Sequence, residues 1–140
     1  MHLENQIDGT ILNSLKIIDH PSGDIFHAMK DGDLGYSGFG EAYFSTIKYN
    51  SIKAWKRHRK MTLNLIVPEG EVCFVIYDDR LNSKSNGIFQ KVSLSTKNYL
   101  RLTIPPMLWV GFQGVNKGSN IVLNIADIKH QPDESDRLDI

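Results

Sequence analysis

The stretch from Lys53 to Arg80 reads KAWKRHRKMTLNLIVPEGEVCFVIYDDR and joins a cluster of positive charge to two strand-forming segments. Residues 61–67 (MTLNLIV) alternate between apolar and polar side chains, stop at residues 68–70 (PEG), and are followed by residues 71–77 (EVCFVIY). Alternation of this kind is typical of strands, and turn residues between two such runs predict a hairpin. The basic cluster beside these strands favours a β-barrel whose interior binds an anionic ligand. Its members are Lys53, Lys56, Arg57, His58, Arg59 and Lys60.

The rest of the chain continues the pattern of short strands. Further strand-forming runs occupy residues 42–49, 89–94, 99–104, 108–113 and 121–125, and polar or glycine- and proline-containing turns separate them. Residues 11–18 (ILNSLKII) fit a short helix and a strand equally well. We therefore predict an all-β sandwich or barrel that forms a single domain over residues 1–140, with residues 130–140 as a surface tail.

Composition limits the classes of function. The chain has 140 residues, 41% of them hydrophobic, which is enough for one core. Its formal net charge is zero, so bulk electrostatics do not indicate a nucleic-acid or membrane partner. Cys73 is the only cysteine and is expected to be a small buried hydrophobe. No signal peptide pattern and no apolar run of about 20 residues is present, so a cytoplasmic location is expected.

His58 is the leading candidate for chemistry. The cations beside it favour the neutral imidazole, which a general base requires. The alternative is a surface histidine in a basic loop. Asp127 follows the last predicted strand, where it suits either a turn cap or a carboxylate that orients His58 and stabilises its protonated form.

The remaining candidates are ligand-binding residues. Four cations of the basic cluster suit a diphosphate, since arginine offers bidentate geometry, although a solvated basic face is the alternative. They are Lys53, Arg57, Arg59 and Lys60. Trp55, Trp109 and Tyr99 suit stacking on a base or sugar, or filling of the core. A metal is not expected, because His58 stands alone and the neighbouring cations repel a divalent ion.

The order of these segments resembles the dTDP-4-dehydrorhamnose 3,5-epimerase family over roughly residues 19–134. Residues 19–26 (DHPSGDIF) stand near the family's D-x-R-G-x-F segment, and residues 52–58 (IKAWKRH) take the place of its R-G-L-H stretch. Residues 70–72 (GEV) and 77–80 (YDDR) resemble its G-E-V…D-x-R pattern. Residues 89–98, 102–106 and 111–113 resemble its final barrel strands, and Asp127 with Pro132 resembles its D-Y-x-x-P region.

The resemblance implies a cupin-type double-stranded β-helix, or jelly roll, that forms a homodimer and needs neither metal nor cofactor. It also implies a nucleotide-linked 4-keto-6-deoxy sugar as substrate and a His–Asp dyad that removes a proton beside the ketone. A tyrosine then returns a proton from the opposite face, and a lysine stabilises the enolate. On this resemblance His58 is the base, Asp127 its partner and Lys60 the enolate lysine. The expected substrate-binding residues are Lys53, Trp55, Arg57, Arg59, Arg101 and Trp109.

The sequence departs from the family pattern at several of these positions. A gapless match puts Lys56 where the family has its catalytic histidine, and Ile128 stands at the family's tyrosine. Tyr43, Tyr77 and Tyr99 remain open as alternative proton donors.

The expected function is an epimerase or isomerase of a dTDP-4-keto-6-deoxy sugar in surface-polysaccharide biosynthesis. One alternative is a non-catalytic barrel that binds a carbohydrate or nucleotide sugar, or a partner subunit of another sugar enzyme. Another is a metal-dependent cupin oxygenase.

Overall fold

The computed structural model describes residues 6–140, and its strands form two five-stranded sheets. A short 3₁₀ helix at Pro132–Glu134 precedes the last strand. No helix among the described residues is long and apolar enough to span a membrane. The strands are β1 (Ile11–Ser14), β2 (Ile17–Ile18), β3 (Ile25–Phe26), β4 (Glu41–Thr46), β5 (Ile52–His58), β6 (Leu63–Glu69), β7 (Glu71–Tyr77), β8 (Phe89–Ser95), β9 (Leu100–Ile104), β10 (Trp109–Gly114), β11 (Ile121–Ala126) and β12 (Ser135–Arg137).

The strand order identifies the architecture. Sheet I has the order β1-β9-β6-β11-β4, sheet II has the order β12-β5-β10-β7-β8, and β2 pairs only with β3. From β4 to β12 the chain changes sheet at every connection except the one between β7 and β8. This repeated crossing between two antiparallel sheets is a jelly roll. The predicted all-β jelly roll is therefore confirmed.

The core lies between the two sheets and follows from strand alternation. Val72, Phe74 and Ile76 on β7 are fully buried, whereas the residues between them are partly exposed. Leu102 and Ile104 on β9 approach the same core from sheet I. Successive side chains of a strand point to opposite faces, so the polar positions between these residues face away from the core.

The expected hairpin between residues 61–67 and 71–77 is wrong. The two segments are strands, but β6 pairs with β9 and β11 in sheet I, whereas β7 pairs with β8 and β10 in sheet II. Gly70 alone separates them and has a φ of 81°. A side chain there would place its Cβ 2.3 Å from the carbonyl oxygen of Ser119. Only glycine therefore allows so abrupt a change of sheet.

Two segments near the ends of the described chain form strands that the sequence did not predict with certainty of type or at all. Residues 11–18, left open between helix and strand, form β1 and β2. Residues 130–140 are not simply a surface tail, because β12 pairs with β5 and Glu134 is only 3% exposed. The polar composition of this segment conceals the pairing, in which the side chains of Glu134 and Asp136 bind His58 and Arg57 on β5.

Arg101 was expected to bind substrate, but the structure places it elsewhere. It is fully buried on β9, at a position that alternates with the core residues Leu102 and Leu100. Its Nη1 donates to the carbonyl of Ala28 at 2.7 Å, and its Nη2 donates to the carbonyl of Leu34 at 3.0 Å. Arg101 thus fastens the segment between β3 and β4 over the outer face of sheet I.

Replacing Arg101 by leucine is expected to lower the free energy of unfolding by about 2–4 kcal/mol, because two carbonyls lose a buried charged donor. Urea denaturation measures this loss. Lys91→Leu is the matched control, since that cationic side chain is exposed on β8, and it should leave stability nearly unchanged. Unchanged stability of the Arg101 variant would contradict the structural role.

Candidate active site

A cavity of about 520 Å³ opens between the two sheets. Sheet II contributes β5, β7 and β10, sheet I contributes β4, β6 and β11, and the end of the chain forms a further wall. Its polar and charged lining residues are Tyr43, Ser45, Lys53, Trp55, Lys56, His58, Asn124, Arg137 and Asp139. Its apolar lining residues include Leu63, Leu65, Phe74, Val110, Phe112 and Val122. The site is therefore a charged cavity with an apolar floor.

His58 lines this cavity and is paired with a carboxylate. Its Nδ1 contacts Oε1 of Glu134, and both residues are buried, at 8% and 3% exposure. The pairing follows from register, because Ser135 on β12 lies opposite His58 on β5 and brings the preceding residue beside the imidazole. An ionised carboxylate only accepts hydrogen bonds, so Nδ1 carries the proton and Nε2 is left as the basic nitrogen.

The environment of Glu134 keeps its carboxylate ionised. Burial on its own would raise the pKa of Glu134, but the contact with His58 opposes it. Oε2 also accepts the backbone N–H groups of Lys60 at 3.0 Å and Met61 at 3.2 Å. Together these donors hold the pKa of Glu134 below its ordinary value of 4.5.

Cationic side chains surround the rest of the cavity. Lys53, Lys56 and Arg137 line it, and Asp139 is the one carboxylate among its lining residues in the described chain. Nζ of Lys53 donates to the carbonyl of Thr46 at 2.7 Å and lies 5.9 Å from the centre of the Phe112 ring. The excess of positive charge suits an anionic ligand.

Lys56 is the half-buried cation of the group. Burial lowers the pKa of Lys56, the charge of Arg137 lowers it further, and Glu134 acts in the opposite direction. Lys56 and His58 lie two residues apart on β5 and both line the cavity. A lysine with a lowered pKa gives up its proton more readily than an exposed one.

Arg57, Arg59 and Trp109, expected at the ligand, do not line the cavity. Strand alternation turns Arg57 to the outer face, where its guanidinium lies 4.6 Å from the centre of the Trp109 ring. Its Nη2 donates to Asp136 at 2.7 Å, and Arg59 contacts the same carboxylate. Hydrogen bonds from Arg59 and Arg57 lower the pKa of Asp136 to about 2. This pairing fastens β12 to β5 instead of binding a diphosphate.

Asp127 and Lys60 are also placed apart from the cavity. Asp127 accepts the N–H of Thr62 at 2.8 Å and the hydroxyl of Ser37 at 3.2 Å, so it ties the ends of two strands together. The expected contact between Asp127 and His58 is not formed, and Glu134 takes that position. Lys60 contributes its backbone N–H to Glu134, while its side chain is exposed and does not line the cavity.

Sequence reasoning missed three residues of the site. Glu134 and Arg137 lie in the segment expected to be a surface tail, and Lys56 was counted in the basic cluster without being assigned a role at the site. The signal for Lys56 was its spacing of two from His58, which places both on one face of a strand. Among residues 6–140 no three His, Cys, Asp or Glu side chains are grouped as metal ligands would be.

The fold and this charged cavity define a cupin-type jelly-roll protein, and comparison with known proteins narrows the class. No protein-family model matches the chain. The crystal structure of a dTDP-sugar isomerase from Desulfovibrio desulfuricans G20 has a TM-score of 0.92 and 36% identity, with 95% of this chain and 85% of that chain covered. The dTDP-6-deoxy-D-glucose-3,5-epimerase of Legionella pneumophila shares the fold, with a TM-score of 0.84, 21% identity, and 95% and 74% coverage.

Two curated proteins are more distant relatives. The probable low-salt glycan biosynthesis epimerase Agl13 of Haloferax volcanii is 26% identical over 84 residues, which are 59% of this chain and about half, 54%, of that protein's length. The spore coat polysaccharide biosynthesis protein SpsL of Bacillus subtilis is 25% identical over 130 residues, or 93% of this chain and 86% of SpsL. On the strength of the Desulfovibrio relative, the chain belongs to the dTDP-sugar isomerase and epimerase family.

Replacing Glu134 by glutamine tests the buried pair through its pH dependence. Because the pKa of Glu134 is lowered on folding, its carboxylate stabilises the fold above pH 4.5 and loses this effect as the pH falls through the folded value. We expect the variant to be less stable by about 1–3 kcal/mol at pH 7, with a smaller difference at pH 3. Urea denaturation at both pH values measures this. Asp133→Asn, an exposed neighbour, is the control, and a difference that does not depend on pH would contradict the account.

Proposed function

We propose that this protein is a nucleotide-sugar epimerase or isomerase that removes a proton beside the ketone of a dTDP-4-keto-6-deoxy sugar, in surface-polysaccharide biosynthesis. The observation that carries the proposal is the convergence of the His58–Glu134 pair with Lys53, Lys56 and Arg137 in one cavity. Membership of the dTDP-sugar isomerase and epimerase family supports it. The same cavity suits a substrate that is anionic at one end and has an acidic C–H bond at the other.

His58 is proposed as the general base. With Nδ1–H directed at Glu134, Nε2 has a free lone pair for the proton on the carbon next to the ketone. Breaking that C–H bond moves its electron pair toward the carbonyl oxygen and forms an enolate. The buried carboxylate of Glu134 then stabilises the imidazolium that results.

The cavity cations are proposed to neutralise the charge of the enolate and of the diphosphate. Lys56, two residues from His58 on β5, takes the role first expected of Lys60, since a cation beside the ketone oxygen stabilises the enolate. Lys53 and Arg137 are placed to bind the diphosphate, for which the arginine offers two parallel donors. Trp55 and Phe112 supply apolar surface for the sugar or base.

A homodimer belongs to the proposal. β4 is an edge strand of sheet I, and its Phe44 is 68% exposed. An exposed strand edge with a large apolar side chain is a place where a second copy pairs favourably. A cytoplasmic location, expected from the sequence, also remains a prediction.

The test follows hydrogen exchange at the sugar. The protein is incubated with dTDP-4-keto-6-deoxyglucose in deuterated water, and the C3 and C5 positions are followed by NMR. We expect exchange in the native protein, at least a 10²-fold slower exchange in His58→Gln because the base is removed, and slower exchange in Lys56→Met because the enolate loses its cation. Lys91→Met is the control, because its side chain is exposed on β8 and does not line the cavity.

Two outcomes would contradict this function. Absence of exchange with several dTDP-4-keto sugars, together with measurable dTDP binding by calorimetry, would leave a non-catalytic nucleotide-sugar-binding barrel. Exchange that survives in His58→Gln would show that another group, with Lys56 as the first candidate, is the base.

A further inference from the structure

The carboxylate of Asp136, on the outer face of β12, binds two arginines of the neighbouring strand. Its Oδ2 accepts hydrogen bonds from Arg57, from Nε at 3.0 Å and from Nη2 at 2.7 Å. Its Oδ1 accepts a hydrogen bond from Nε of Arg59 at 3.1 Å and also contacts Nη2 of that residue. Each guanidinium thus directs two donors at one carboxylate oxygen, and charge-assisted bonds of this kind are stronger than neutral ones. We call these three residues the arginine clasp.

Arg57 is itself held in place by the centre of sheet II. Its guanidinium lies 4.6 Å from the centre of the ring of Trp109, which is only 7% exposed. Nε1 of Trp109 donates to Asp79 at 3.0 Å, and Nη1 of Arg57 lies 3.5 Å from the same carboxylate. Surface ion pairs usually contribute little, because both side chains lose freedom when they pair. Since Arg57 is already ordered, its pairing with Asp136 costs less entropy and can determine where β12 lies.

One short segment joins the clasp to the cavity. Glu134 directly precedes β12 and contacts His58, whereas Arg137 ends β12 and lines the cavity. β12 is an edge strand that pairs only with β5. A shift of two residues along β5 would keep every side chain on its own face, so backbone pairing distinguishes the two registers poorly. Such a shift would move Glu134 by about 7 Å and break its contact with His58.

We propose that Asp136 is a positioning residue for the reaction. Through the arginine clasp it selects the register of β12 and thereby places Glu134 against His58. The inference rests on the proposed function of His58 as the base. Asp136 does not line the cavity, so it acts on a substrate only through Glu134 and Arg137.

Asp136→Asn tests this role, because the amide keeps the size of the side chain and loses its charge. In long-range ¹H–¹⁵N spectra at pH 8 we expect His58 to change from one neutral tautomer, with hydrogen on Nδ1, to a mixture of both. With saturating dTDP-4-keto-6-deoxyglucose in deuterated water, hydrogen exchange should be at least about tenfold slower than in the native protein. Asp133→Asn is the matched control, since this exposed carboxylate lies in the same segment, and it should change neither result.

A double-mutant cycle separates positioning from a general loss of stability. The Glu134→Gln variant has already lost the carboxylate that the clasp places, so adding Asp136→Asn should slow exchange by less than about threefold further. Arg59→Met is a milder variant, because its side chain is 55% exposed and Arg57 still binds Asp136. Urea denaturation shows which variants are folded.

The outcomes distinguish this role from the proposed function. Native exchange and the native tautomer in Asp136→Asn would overturn the positioning role, and so would equal slowing in the native and Glu134→Gln backgrounds. If Asp136→Asn does not fold, Arg59→Met decides: a second His58 tautomer supports the role, and a single native tautomer overturns it. Native protein that exchanges no hydrogen with dTDP-4-keto sugars would overturn the proposed function, while the tautomer spectra would still test the placement of Glu134 by Asp136.

Discussion

The contact between His58 and Glu134 is the interaction on which the site depends. It joins the strand that carries the cavity cations to the end of the chain, and it does so inside the protein, where an unpaired carboxylate would be costly. The two backbone N–H groups that Glu134 also accepts occupy its second oxygen, so its position is determined from both sides. A base needs a defined tautomer, and this buried carboxylate selects it.

The cations of the basic cluster have two functions, because successive side chains of a strand point to opposite faces. Arg57 and Arg59 are bound to Asp136, and this pairing holds β12 in register. Lys53, Lys56 and His58 line the cavity instead. The cluster thus uses its two arginines to hold the wall together and leaves Lys53 and Lys56 for a ligand. Loss of the Arg57–Asp136 and Arg59–Asp136 pairs should therefore affect the site only by displacing Glu134.

Much of the fold could be predicted from the sequence, since alternation and turn residues locate the strands from β4 to β11 closely, with the exception of β5. Residues 53–60 were interpreted as a basic cluster beside a strand, because their charges conceal the strand that Ile52–His58 forms. Strand pairing was harder to predict. A turn at Gly70 is compatible both with a hairpin and with a change of sheet, and only the pairing with strands distant in sequence distinguishes the two. Alternation could have placed Arg101 and Trp109 away from the interior, since each stands next to an apolar core position on its strand. Glu134 could not be predicted, because a short polar segment gives no sign that it pairs with a strand far away in the sequence.

The protonation of His58 tests the central claim most directly. Long-range ¹H–¹⁵N correlation spectra of labelled protein at pH 8, assigned through His58→Gln, identify which ring nitrogen carries hydrogen. The account predicts that Nδ1 is protonated by its contact with the Glu134 carboxylate and that Nε2 is free. A neutral imidazole protonated at Nε2 would contradict it, because no ionised carboxylate donates a proton to Nδ1 and the base would lie elsewhere in the cavity.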